Sequence, residues 1–209
     1  MAIASQSLFN MSVGSDNTPS TAALLMPKLQ FRFRALFLNF GVGGSTQELT
    51  KQVIDIARPQ VSFTEIPIEI YNSRLYLAGK HEWQTTTINL RDDAAGNVAK
   101  LVGQQLQKQM DFVEQASAAT GQDYKFQINY EVLDGGNGTL TPTVLETWEL
   151  YGCFLQTVNY NTLNYGTNEP VTISLTVRFD NAVNSPLSSG LGVAVGRALG
   201  GTTITGLGI

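Results

Sequence analysis

The sequence predicts a mainly β fold, an antiparallel barrel or sandwich of about six or seven strands with one flanking α-helix over about residues 92–119. Three observations carry that expectation. Val171, Ile173, Leu175, Val177 and Phe179 alternate with Thr172, Ser174, Thr176, Arg178 and Asp180, the period-two signature of a half-buried strand, and other segments repeat it. One stretch alone shows a helical stripe: Val98, Val102, Leu106, Met110 and Val113, spaced by four or three residues. Glycine, asparagine and aspartate cluster between the alternating segments, where turns need positive φ.

Residues 1–27 mix Ser, Asn and Thr with scattered apolar residues, show no period, and read as an N-terminal arm ending at Pro27. A β domain is expected over 28–180, opening with a strand in which Leu29, Phe31, Phe33, Ala35 and Phe37 share a face opposite Gln30, Arg32 and Arg34. Gly41, Gly43 and Gly44 break that strand, and Gln47 to Ala57 reads as a short helix or a long loop stopped by Pro59. Val61 to Tyr71 and Arg74 to Leu90 are rich in β-branched and aromatic residues, with a turn expected at Asn72-Ser73. Asp92 and Asp93 suit the start of the helix, where carboxylates satisfy unpaired N–H groups, and Gly121 is placed at its end. Tyr124, Phe126, Ile128 and Tyr130 then alternate with Lys125, Gln127, Asn129 and Glu131; Asp134 to Gly138 supplies a hairpin turn, and Trp148, Leu150 and Phe154 form the return strand. Residues 181–209 turn Gly-, Ser- and Thr-rich and read as a C-terminal tail.

Charged residues make up 14% of the 209-residue chain, which favours a surface that copies of the chain can cover. A net charge of −4 leaves no basic excess for gripping phosphates. The lone Cys153 has no intrachain disulfide partner, which fits folding in a reducing compartment, and the first residues lack the charged and apolar blocks of a signal peptide. Synthesis in the cytoplasm is expected.

Catalysis finds little support. His81 is the only histidine, so any Ser-His-Asp or Cys-His mechanism depends on it, and its strand setting beside Glu82 reads as a solvated or interfacial position. Cys153 reads as a small packed thiol, and Asp92 and Asp93 as caps. No cluster of the ligand types that hold zinc or calcium occurs, so neither metal nor cofactor is expected. Gly41-Val42-Gly43-Gly44 lacks the Lys and Ser/Thr of a phosphate loop, and Gly192, Gly196 and Gly200 have the spacing of packed membrane helices but are interrupted by Arg197. The expected class is a structural protein that assembles with itself; a carbohydrate-binding β-sandwich presenting Tyr160 and Tyr165 is the alternative from another class.

Ile66-Pro67, Tyr71, Arg74, Ala78-Gly79-Lys80, Trp83, Ile88 and Asp92 resemble the central motif of the tail tube proteins of contractile-tailed bacteriophages. Trp148, Leu150, Gly152, Phe154, Val158, Leu163 and Tyr165, leading into the last strand, are similar to a second block of that family. The likeness spans about residues 58–180, with Lys80 and Leu155 departing from the family pattern. The resemblance implies a subunit of stacked hexameric rings forming a tube inside a sheath, with baseplate and terminator proteins at its ends. DNA would pass through the lumen without specific binding, and the protein would reside in the virion tail, with no membrane partner. A relative that initiates or terminates a tube, or a tube of an injection system, shares these features. Arg58, Pro67, Tyr71, Arg74, Gly79, Lys80, Asp92 and Asp93 are the implied self-assembly residues, and the segment from Gly41 to Pro59 and the arms are implied bridges between rings.

Overall fold

The computed structural model describes residues 28–43, 45–134, 142–185, 197–199 and 202–204. The chain divides into two units, residues 1–32 and 33–209. Of the first, residues 28–32 are described and hold a turn closed by the Arg32 N–H on the Leu29 carbonyl. The strand expected from Leu29 therefore begins later, at Phe33, because its first residues are spent on that turn.

In the second unit the elements run β1 (Phe33–Leu38), α1 (Gln47–Gln52), β2 (Val53–Ile56), β3 (Val61–Ile70), β4 (Ser73–Trp83), β5 (Thr86–Arg91), α2 (Asn97–Gln109), β6 (Met110–Asp111), β7 (Ala116–Ser117), α3 (Gly121–Tyr124), β8 (Phe126–Leu133), β9 (Val144–Asn159), β10 (Thr172–Arg178), β11 (Asn181–Asn184), β12 (Arg197–Leu199) and β13 (Thr202–Ile204). A seven-stranded antiparallel sheet runs β1-β8-β9-β10-β5-β2, with β11 added to β9. The fold is mainly β, as expected, and its sheet is open, with β1 and β2 at the ends of that order.

Alternation builds the core directly. Ala35 and Phe37 of β1, Phe126, Ile128 and Tyr130 of β8, Leu150, Cys153 and Leu155 of β9, Ile173, Leu175 and Val177 of β10, and Ile88 and Leu90 of β5 are all buried in one cluster. Val98, Leu101 and Val102 of α2 and Leu49 of α1 join it. The segment implied as a bridging loop is thus docked: Leu49 is fully buried and β2 pairs with β5.

The helix is shorter than its apolar stripe. It starts at Asn97 because Gly96 sits at φ +67, and it stops at Gln109 because Met110 is extended. Beyond it the Asp111 carboxylate accepts from the N–H groups of Val113 and Glu114, a local turn that competes with helix, so Val113 is exposed and outside the stripe. Gly121 opens α3 instead of capping α2, with Thr120 and Asp123 forming a reciprocal cap. The segment Arg74 to Leu90 is two strands: Trp83 turns into the core and Gln84 donates to the Gln60 carbonyl, separating β4 from β5. Residues 181–184, read as tail, are strand β11, with Ala182 buried. Residues 1–27, expected as an arm, Gly44, residues 135–138 of the expected hairpin turn, and Gly192, Gly196 and Gly200 lie outside the described residues.

Glycine is demanded at one point of the sheet. β9 carries an extra residue where its register against β8 shifts between Phe126 and Ile128, and Gly152 there has φ +67. A Cβ on Gly152 would lie 2.2 Å from Oδ2 of Asp180, the carboxylate held by Lys125.

Candidate self-association surface

Among the described residues β3 and β4 pair only with each other, forming a two-stranded ribbon separate from the main sheet. Its residues are exposed along nearly the whole length, down to Trp83, which anchors the base against Phe179 at 5.6 Å between ring centroids. The Arg178 guanidinium on β10 donates to Glu82 at 2.9 Å and adds a second tie at the base.

Register decides what each face presents. Ile66 lies opposite Leu77 and Ile68 opposite Leu75, with Ile70 next on the same side, so one face is aliphatic. These five side chains are 39–50% exposed. The other face carries Glu65, Pro67 opposite Tyr76, and Glu69 opposite Arg74. Arg74 Nε donates to Glu69 Oε1 at 2.6 Å, and that bond raises the guanidinium's pKa further. The aliphatic face is thus contiguous and bounded by polar residues.

The turn falls at Tyr71-Asn72, one residue earlier than expected, with Ser73 already paired to Ile70. Tyr71 adopts φ +43, uncommon for a residue with a Cβ, and stands 99% exposed at the tip. Near the base, β4 spends an extra residue where Phe63 faces His81 and Glu65 faces Ala78. Gly79 lies at that bulge. A Cβ there would be 2.6 Å from Thr64 Oγ1 and 2.9 Å from the Thr64 carbonyl, while the Thr64 hydroxyl donates to the Lys80 carbonyl. Gly79 therefore acts by letting the two strands approach.

Of the eight residues implied for assembly, the fold brings Pro67, Tyr71, Arg74, Gly79 and Lys80 onto this ribbon. Arg58 is exposed just before it, close enough to lower the pKa of the Tyr130 phenol, which burial raises more strongly. Asp92 and Asp93 lie elsewhere, at the start of α2. Asp93 Oδ1 accepts from the N–H groups of Asn97 at 2.7 Å and Val98 at 3.3 Å, and Asp92 Oδ1 from that of Ala99 at 3.4 Å. Desolvation opposes ionisation of Asp93, but the hydrogen bond from the Asn97 side-chain amide at 2.7 Å and the backbone N–H groups of Val98 and Asn97 together outweigh it and hold the carboxyl below its ordinary value. Both aspartates have a capping task.

The residues weighed for catalysis are scattered. His81 is exposed on the ribbon beside Phe63 and Trp83, whereas Cys153 is fully buried, with burial pushing its thiol up to about 12. Among the described residues, no group of three or more His, Cys, Asp and Glu is placed to hold a metal, and no helix is long and apolar enough to cross a membrane.

Two polar residues escaped sequence reasoning. Gln105 is fully buried; its Oε1 accepts from the Gly41 N–H and its Nε2 donates to the Tyr124 carbonyl, joining the end of β1 and α3 to α2. Gln109 Nε2 donates to the Leu155 carbonyl and its Oε1 accepts from the Leu155 N–H, replacing a strand partner where the β9–β10 register shifts. Their only sequence signal was a four-residue spacing, masked by a polar residue type.

The architecture matches solved assemblies of contractile injection systems at low sequence identity. The tube-terminating cap of the anti-feeding prophage aligns at TM-score 0.59 and 13% identity, over 82% of this chain and 99% of that one. The chain has the tail-tube fold. A chain of the anti-feeding prophage baseplate shares that fold at TM-score 0.55 and 13% identity, over 79% and 100%. A chain of the extended sheath–tube complex of the PVC extracellular contractile injection system shares it at 0.51 and 14%, over 77% and 93%. No family model and no curated protein matches the sequence.

Proposed function

We propose that this chain is the structural subunit of a phage tail tube, forming hexameric rings that stack around a lumen for DNA, inside a contractile sheath and between baseplate and terminator proteins. The observation that carries the reading is the aliphatic face of the β3–β4 ribbon. A two-stranded hairpin is marginal alone in water, and covering Ile66, Ile68, Ile70, Leu75 and Leu77 with another copy both stabilises it and joins subunits. The tail-tube fold supports the same reading, since assemblies of that fold contain tubes, caps and baseplates. The role is mechanical, and neither a catalytic residue nor a cofactor enters it.

Negative-stain electron microscopy of the purified chain at rising concentration tests the proposal. Long hollow filaments support a tube subunit; isolated rings would favour a cap, initiator or terminator, a reading favoured by the match to a tube-terminating cap. A uniformly monomeric chain would overturn self-assembly and return attention to a discrete module, for which Tyr160 and Tyr165 are suitably exposed. The double substitution Ile68→Thr with Leu75→Thr is expected to abolish filaments while leaving the circular dichroism of the fold intact, because neither side chain belongs to the core cluster.

A further inference from the structure

One part of the sheet presents a surface unlike the rest. On the outward side of β5, β10 and the second half of β9, Thr87, Thr176 and Thr157 face one another in register, and Asn89, Ser174 and Asn159 form the next row. Thr172 follows, and Asn161 Nδ2 donates to Thr172 Oγ1 at 2.8 Å. No aliphatic or aromatic side chain interrupts these rows. Charge appears only at their margins: Asp55 on β2, which accepts from Asn89, Arg178, which is paired with Glu82, and Arg91 at the end of β5. The other side of the fold differs, since α1 and α2 expose Glu48, Lys51 and Lys100.

This face is poorly suited to becoming an interface core, which needs large apolar or aromatic side chains. Closure of a ring places the same residue of each copy at the same radius, so every charge on an inward face meets like charges, and their separation shrinks toward the axis. A face turned outward suffers no such crowding. Resting on the tube reading above, we infer that the hydroxyl–amide rows of β5, β10 and β9 line the bore of the assembled tube and leave the middle of its wall free of charge, with Asp55 and Arg91 at its margins. Such a wall keeps its water through its hydroxyls and amides. It holds a polyion only weakly, so it passes hydrated cargo of either sign with little electrostatic selection.

Thr87 and Thr157 are both exposed, and Cys153 is a buried, poorly ionised thiol, so Thr87→Cys and Thr157→Cys each provide one reactive site in the full chain. In preformed tubes a small maleimide should label either cysteine as it does in free subunits, whereas labelling by a maleimide bearing a long polyethylene-glycol chain should be lost. Lys100→Cys, on the helix side, should keep both reactions. Labelling of the threonine positions by both reagents in tubes would place the rows outside, and labelling by neither would place them in a contact; either result overturns the inference while leaving self-assembly standing. Failure of the wild-type chain to form tubes would instead remove the reading on which it rests. Independently, Thr176→Asp should assemble only when salt is raised and Thr176→Asn should assemble as wild type; unimpaired low-salt assembly of Thr176→Asp would overturn the crowding argument.

Discussion

Replacing Gln105 with leucine tests how far α2 depends on one buried amide. The side chain is fully buried and serves two backbone groups, the N–H of buried Gly41 at 2.9 Å and the carbonyl of Tyr124 at 2.7 Å. Leucine fills a similar volume and has neither partner to offer. The Gly41 N–H is then stranded in the interior, at about 1–3 kcal/mol for a buried donor without an acceptor. The Tyr124 carbonyl, nearer the surface, is rehydrated more easily and adds at most about 1 kcal/mol. The gain from a buried leucine offsets part of this, leaving an expected loss of about 1–2 kcal/mol. Urea unfolding followed by circular dichroism, at a concentration where light scattering shows monomers, should move the midpoint down by about 0.5–1 M, given a slope of roughly 2 kcal/mol per molar for a chain of this size. A loss below about 0.5 kcal/mol would refute the reasoning, since it would mean that these hydrogen bonds are readily replaced by water. Gln105→Glu adds a sign test: its carboxylate can accept from Gly41 but can donate to Tyr124 only when protonated, so this variant should be more stable in mild acid than at neutral pH.

Two further outcomes are expected. Gly152→Ala should destabilise the subunit by about 2 kcal/mol, combining left-handed backbone strain with displacement of the Asp180 carboxylate from Lys125; adding Asp180→Gly should recover part of the loss in the same urea assay, and strict additivity would show that the close approach is unimportant. Cys153 should resist thiol reagents at pH 8 until the chain is unfolded. Because its pKa rises from an ordinary 9.0 to about 12 in the fold, its contribution to stability is complete below pH 9 and is lost as pH climbs toward 12, so Cys153→Ala should flatten the alkaline fall of the unfolding midpoint.

Period-two patterning was legible because each strand of the main sheet buries one face. Burial alternates without a break through Phe126–Leu133 and Thr172–Arg178, and a side chain's direction there depends only on its parity. The β3–β4 ribbon was legible as two strands, yet nothing in its pattern told that both would stand clear of the core, since an aliphatic row facing a partner reads like one facing the interior. The same ambiguity extended the helical stripe through Met110 and Val113, which are exposed. An apolar spacing says which residues seek cover and leaves open what covers them.

The sequence by itself determined the mainly β class, the alternating core strands, and the helix on Val98 and Val102 with its Asp92 and Asp93 caps. Tertiary structure alone decided the rest: where the helix stops, the docking of Leu49, the Gln105 and Gln109 clips, the approach of Gly79 to Thr64, and the separation of the β3–β4 ribbon from the main sheet. The reason is physical. Local pattern reports the free-energy preference of one residue and its near neighbours, whereas buried amides, bulges and unpartnered faces acquire their meaning from groups that the fold brings from far along the chain.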